Sequence, residues 1–114
     1  MEDCIFCQIA AGTLPTELIY QDQHVVGFHD LSPQAPTHCL IIPRKHIATL
    51  NDLQPEDEYL MGHLYHAAVQ IAAQEGLQED GYRTVMNCNE GGGQSVFHIH
   101  LHLIGGRRMQ WPPG

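Results

Sequence analysis

The stretch from Phe97 to Ile104, Phe-His-Ile-His-Leu-His-Leu-Ile, constrains the fold of this chain more than any other. A β-strand sends successive side chains to opposite faces. Read as a strand, Phe97, Ile99, Leu101 and Leu103 form one apolar face, and His98, His100 and His102 share the other. Read as a helix, the imidazoles spread around more than half the circumference and the apolar set scatters with them. Three imidazoles on one face are costly to bury unpaired and serve nothing in water. That face is therefore expected to do chemistry.

A length of 114 residues suits one domain, residues 1–114, with a modest core. The chain is 43% hydrophobic without low-complexity tracts, the pattern of a soluble globular protein. No apolar run approaches the ~18 residues that a membrane helix needs. Glu2 and Asp3 stand where a signal peptide would be basic, so a cytoplasmic location and no membrane contact are expected. A formal charge of −8 argues against nucleic-acid polymers, whose phosphates need Lys and Arg. A small nucleotide remains open, since backbone N–H groups hold phosphate without net positive charge. Cys4, Cys7, Cys39 and Cys88 are then reduced or metal-bound rather than disulfide-paired. Cys39 and Cys88 fall in apolar runs and read as small buried residues.

Asp3 is placed to cap a short helix over residues 4–11, which Gly12 and Pro15 end. Residues 18–20 and 25–29 read as two strands around a turn at 21–24. Ser32-Pro-Gln-Ala-Pro36 is a loop, and residues 37–43 a third strand buried on both faces. Pro55-Glu-Asp-Glu58 opens a long helix with the negative charge its N-terminal dipole favours. Leu60, Leu64, Ala67, Ala68 and Ile71 line one side of it, and Gly76 closes it. Residues 82–88 and 96–104 are the last two strands, around a glycine-rich loop at 89–93. The order predicts an α+β domain with a five-stranded antiparallel meander, one long helix and one short one. His24, His63 and His66 match nothing functional; His63 and His66, on the long helix, read as surface or boundary residues.

Asn87-Cys-Asn-Glu-Gly-Gly-Gly-Gln-Ser95 reads alone as an ordinary hairpin loop. Directly before three same-face histidines it becomes a candidate phosphate cradle, because glycines admit close backbone approach and adjacent N–H groups attract an anion.

His98-Ile-His100-Leu-His102-Leu-Ile resembles the signature of the histidine-triad (HIT) superfamily. Cys4-Ile-Phe-Cys7, the Phe28-to-His38 segment, Ile42-Pro-Arg-Lys-His46, Gly92-Gly-Gln-Ser-Val-Phe-His98 and the Gly106-to-Gly114 tail with its Trp-Pro-Pro-Gly look like its nucleotide-binding (HINT) branch. The resemblance covers essentially the whole chain. It implies a homodimer whose sheets join into one, and a purine nucleotide pocket on each protomer. The implied reaction is hydrolysis of purine nucleoside 5′-phosphoramidates. His100 matches the nucleophile, His102 a phosphate-oxygen partner near the leaving group, and His38 a fourth histidine that supports the triad with His98. Asp30 matches the carboxylate on the ribose hydroxyls, with Leu31 beneath. Ile5, Phe6, Ile9 and Phe28 match the walls around the base. Asn87, Gly93, Gln94 and Ser95 match the loop around the phosphate, and Trp111 a tail residue reaching the neighbouring protomer's site. Cys88 and Asn89 depart from the pattern where many members place glycine.

Imidazole suits the implied chemistry: with a pKa of about 6.5, much of it is a neutral nucleophile at pH 7. Two steps through a covalent intermediate ease a poor leaving group. A metal on the triad itself is a competing reading, since His at i and i+2 on a strand can bind zinc. The resemblance places zinc elsewhere, on Cys4, Cys7, His46 and His98, as a closed structural site with no cofactor for catalysis. Two unmetallated or partly oxidised thiols are the alternative there. A dinucleoside polyphosphate hydrolase and a regulatory nucleotide-binding protein are the other functional readings. A transferase acting on sugar nucleotides is a further related reading; His102 speaks against that branch, and the Trp-Pro-Pro-Gly tail against the dinucleotide branch.

Overall fold

Strand β3, Thr37–Pro43, holds the centre of the sheet because it is apolar on both faces, as its sequence predicts. The computed structural model describes residues 3–114. Around β3 lie α1 (Ile5–Ala11), β1 (Leu18–Gln21), β2 (Val25–His29), α2 (Glu58–Gln74), β4 (Tyr82–Val85), the single turn α3 (Asn89–Gly92) and β5 (Leu101–Gly105). Two 3₁₀ turns, Leu50–Asp52 and Pro55–Asp57, lead into α2. The five strands are antiparallel in the order β1-β2-β3-β5-β4.

That order corrects the expected meander. The β3–α2–β4 connection sets β4 at the sheet edge and leaves a slot that β5 fills beside β3. Alternation along β5 suits an inner strand, with Leu101 and Leu103 fully buried among the residues under α2. Leu64, Ala67, Ala68 and Ile71 close that side, as their helical spacing predicts. On the opposite face, Phe6, Ile9 and Ala10 of α1 pack on Val26, Phe28, Leu40 and Ile42.

Several boundaries differ from expectation for visible reasons. Cys4, not Asp3, caps α1, its Sγ accepting from Cys7 N–H at 3.4 Å. The residues before α2 wind first as a 3₁₀ turn, so α2 starts at Glu58. The ladder of β5 begins only at Leu101, opposite Ile41. Two residues further, Pro43 has no N–H to offer, and its carbonyl is taken by the His98 ring at 2.7 Å. Residues 97–100 therefore stay outside the ladder, with a bend at Phe97 and His98, and Phe97, 48% exposed, leaves the apolar face that Ile99, Leu101 and Leu103 keep. Shortened pairing also ends β4 at Val85, opposite His102. Cys39 is buried as expected; Cys88 is only half-buried, at the start of α3.

Candidate active site

Helix α1 lies as a wall beside the histidines. Its last turn is tied to the sheet by Arg44, whose Nη1 donates to the Ala10 carbonyl at 2.6 Å and whose Nε donates to the Asp22 carbonyl at 2.8 Å. The Phe6 ring stands edge-on to Phe28, His98 and His100, at centroid separations of 5.7, 5.9 and 5.1 Å. Helix, sheet and residues 97–100 thus meet at one place.

Hydrogen bonds fix the tautomer of each buried imidazole. A backbone carbonyl only accepts, so the ring nitrogen facing one must carry the hydrogen. His98 donates through Nε2 to Pro43, leaving its Nδ1 lone pair free. His100 donates through Nδ1 to the His98 carbonyl at 2.8 Å, leaving a lone pair on Nε2. His38 accepts at Nδ1 from the Gln34 N–H at 3.0 Å, so its Nε2 carries the hydrogen toward His102 Nδ1, 2.9 Å away. His102 then holds its own hydrogen on Nε2. That atom is buried and has no hydrogen-bond partner among the described residues. Burial lowers all three triad pKa values, with His98 and His102 pushed down to about 4. For His100, the His98 carbonyl and the Asp30 carboxylate oppose that shift without cancelling it. The site therefore presents a neutral nucleophile on one ring and an unspent N–H donor on the next.

Asp30 Oδ2 lies 3.4 Å from His38 Nε2, while its Oδ1 accepts from Ser32 N–H at 2.8 Å. Beside these groups opens a cavity of about 730 Å³, within the range of small-ligand pockets. Ile5, Phe6, Ile9, Phe28, Asp30, Leu31, Ser95, His100 and His102 all line it, so most of the expected nucleotide residues meet there. Leu31 is almost wholly exposed at the rim. Asn87, Gly93, Gln94 and Trp111 do not line it. Gln94 is a correction as a ligand-facing side chain: it is buried, accepts from Asn89 N–H, and donates to the Ala48 and Val96 carbonyls. It holds the loop instead. Trp111 is 82% exposed.

The expected glycine-rich loop winds as the turn α3 instead, and Asn89 adopts φ 61°. Asn tolerates the left-handed region better than other non-glycine residues, which reconciles this chain with the glycine that the family pattern favours.

Next to the cavity, Cys4, Cys7, His46 and His98 converge into a group that could hold a metal ion. His98 Nδ1, its lone pair free, is 3.3 Å from Cys4 Sγ, 3.5 Å from Cys7 Sγ and 3.3 Å from His46 Nδ1. His46 Nδ1 also lies 3.3 Å from Cys7 Sγ. Four tetrahedral ligands at zinc distances stand roughly 3.3–3.8 Å apart, and these four separations fall in that range, so the donor set fits such an ion.

Three features escaped sequence reading. The Gln34 N–H that sets the His38 tautomer belongs to a loop backbone and leaves no side-chain signal. Leu14, Pro15, Thr16 and Glu17 also line the cavity, although Pro15 had signalled only a helix end. Asp22, read as a turn residue, is also a hub. It accepts from His24 and Val25 N–H at 2.8 and 2.9 Å, from Tyr20 Oη at 3.0 Å, and pairs with His63 at 2.6 Å. Those contacts hold its carboxyl well below the usual range despite burial.

The chain belongs to the HIT family: the HIT domain profile matches residues 11–109. It is 52% identical over 108 residues to the purine nucleoside phosphoramidase of Escherichia coli K12, covering 95% of this chain and 91% of that protein. An uncharacterized HIT-like protein of Synechococcus elongatus is 49% identical over 113 residues, covering 99% of this chain and 98% of that one. Among solved structures, a HIT family hydrolase from Legionella pneumophila superposes with a TM-score of 0.96 at 54% identity, covering 98% of this chain and all of that one. A histidine triad protein from Clostridium difficile gives 0.93 at 37% identity, with 96% of each chain covered.

Proposed function

We propose that this protein hydrolyses purine nucleoside 5′-phosphoramidates through a nucleotidyl-histidine intermediate, working as a cytoplasmic homodimer with a structural zinc ion. One observation carries the reading. His100 and His102 stand side by side on the cavity wall, the first with a free Nε2 lone pair and the second with an unspent Nε2–H.

In this reading the base lies between Ile5, Phe6, Ile9 and Phe28, and Asp30 holds the ribose hydroxyls above Leu31. The α-phosphate then sits against His100, His102 and Ser95, with Asn87 and Gly93 shaping the loop behind. His100 Nε2 forms a bond to phosphorus as the phosphorus–amine bond breaks, and the amine leaves with a proton from solvent. His102 Nε2–H donates to a phosphoryl oxygen as its charge grows, which positioned donors do best in a dry site. Water then adds hydroxyl to phosphorus, the phosphorus–His100 bond breaks, and a proton returns to solvent with the nucleoside monophosphate.

Zinc held by Cys4, Cys7, His46 and His98 would be a closed structural ion that pins α1, and with it the base wall, to the sheet. Dimerisation is supported by the unpaired outer edge of β4 and by the exposed Trp111 tail, which suits reach toward a partner's cavity. The 52% likeness to a phosphoramidase favours this chemistry over dinucleotide hydrolysis.

Turnover of an adenosine phosphoramidate carrying a fluorogenic amine tests the proposal. His100→Ala should lose activity on the order of 10³-fold or more, as removal of a covalent nucleophile does. An inactive wild type, or a His100→Ala variant that keeps most of its rate, would overturn it.

A further inference from the structure

Behind the catalytic pair, on the face covered by α2, lies a second group of metal-type donors. His29 ends β2 and faces Cys39 of β3 as its cross-strand partner. Their Nδ1 and Sγ atoms are 3.7 Å apart. Glu75 caps the C-terminus of α2 and brings its carboxylate to the same point, so one donor atom from each residue lies within 4.8 Å of the others.

We propose that His29 Nδ1, Cys39 Sγ and one Glu75 carboxylate oxygen bind a borderline divalent transition-metal ion of the zinc class, with water as the fourth ligand. This inference does not depend on the phosphoramidate reading.

Four observations support it. Imidazole, thiolate and carboxylate are the three ligand types such ions take, and three protein ligands with one open position are a common set. Ligand atoms around a tetrahedral ion stand roughly 3.3–3.6 Å apart, so a small closure of exposed side chains completes the geometry. His29 and Glu75 are exposed while Cys39 is fully buried, which gives the ion an entry from solvent and a dry anchor. The C-terminal end of the 17-residue α2 also carries negative dipole charge, and no basic residue in its last turn offsets it.

Charge and protons balance. Burial, reinforced by the Glu75 carboxylate, pushes the Cys39 thiol up to about 11, so it is protonated at neutral pH. Binding releases that proton to solvent, and thiolate plus carboxylate then neutralise the divalent ion. His29 precedes Asp30 and Cys39 follows His38, so the bound ion would sit directly behind the pair that orients His102.

Cobalt(II) is the probe, because a thiolate ligand gives it a charge-transfer absorption. The Cys4→Ser/Cys7→Ser variant removes both thiols of the first group, so any such band must come from another cysteine. One equivalent is expected to produce the band. Adding His29→Ala or Glu75→Gln, both surface changes, should weaken its apparent affinity at least tenfold. No band, or a band indifferent to both surface changes, overturns the proposal. If the double variant does not fold, the zinc content of the intact chain decides: two equivalents falling to one in His29→Ala support the site, and one in both proteins refutes it.

Discussion

At the scale of single residues, the orientation of hydrogens sets the chemistry. His38 does not itself line the cavity, yet its Nε2–H is what leaves His102 with a hydrogen on Nε2. His38→Ala should therefore lower kcat by about 10²-fold, the low end for losing a correctly held acid–base group, with KM little changed. Steady-state kinetics on the phosphoramidate check this, and a KM effect larger than the kcat effect would refute the orienting role. His100 is a second case. Burial holds its pKa below the ordinary 6.5, so the acidic limb of kcat/KM should lie below that value, measurable as a pH–rate profile. The residue types at these positions were legible from the histidine spacing. Their tautomers were not, because they depend on backbone groups, the Gln34 amide and the His98 and Pro43 carbonyls, which leave no side-chain signal.

At the scale of elements, local backbone chemistry decides where strands stop and loops turn. Asn89 stands at φ 61°, where a β-branched residue is strained. Asn89→Gly should be neutral or slightly stabilising, and Asn89→Val should cost about 1–3 kcal/mol, read as urea midpoints of the two variants. Gly105 ends β5 against Leu77, whose Cδ1 would lie 2.7 Å from an added Cβ. Gly105→Ala should cost roughly 1–3 kcal/mol by overpacking, visible in the same unfolding assay. Periodicity showed β2, β3 and the buried face of α2 well, since burial on one or both faces leaves a direct imprint on sequence. It overextended β4 and β5, because the length of a ladder depends on the partner strand and not on the residues alone.

For the whole molecule, acid stability follows from histidines buried without charge. His102 titrates at about 4 in the folded protein and near 6.5 when unfolded. Above 6.5 both states are neutral. Between 6.5 and 4 the unfolded chain takes up a proton that the folded chain refuses, so stability falls as pH drops through that window. Between pH 7 and 5 the wild type should lose roughly 1–2 kcal/mol more than His102→Asn, compared by urea denaturation at each pH. Removing the two thiols at the start of α1 acts on the same scale. If they hold the proposed zinc ion, Cys4→Ser/Cys7→Ser should lower the melting temperature and raise KM by about tenfold, some 1.4 kcal/mol of lost preorganisation, because Ile5, Phe6 and Ile9 of that helix line the cavity.

By itself the sequence determined the strand and helix inventory, the histidine face, the wall residues and the convergence of two cysteines with two histidines. The elements and the histidine face rest on side-chain type and local spacing, which sequence carries openly, whereas the wall residues and the Cys4, Cys7, His46 and His98 set were implied by the resemblance to the HIT family. Tertiary structure alone decided that β5 lies between β3 and β4, that Gln94 turns inward, and that His29, Cys39 and Glu75 share one point. Those outcomes depend on which backbone groups remain unpaired once distant segments pack, and a linear pattern does not encode that.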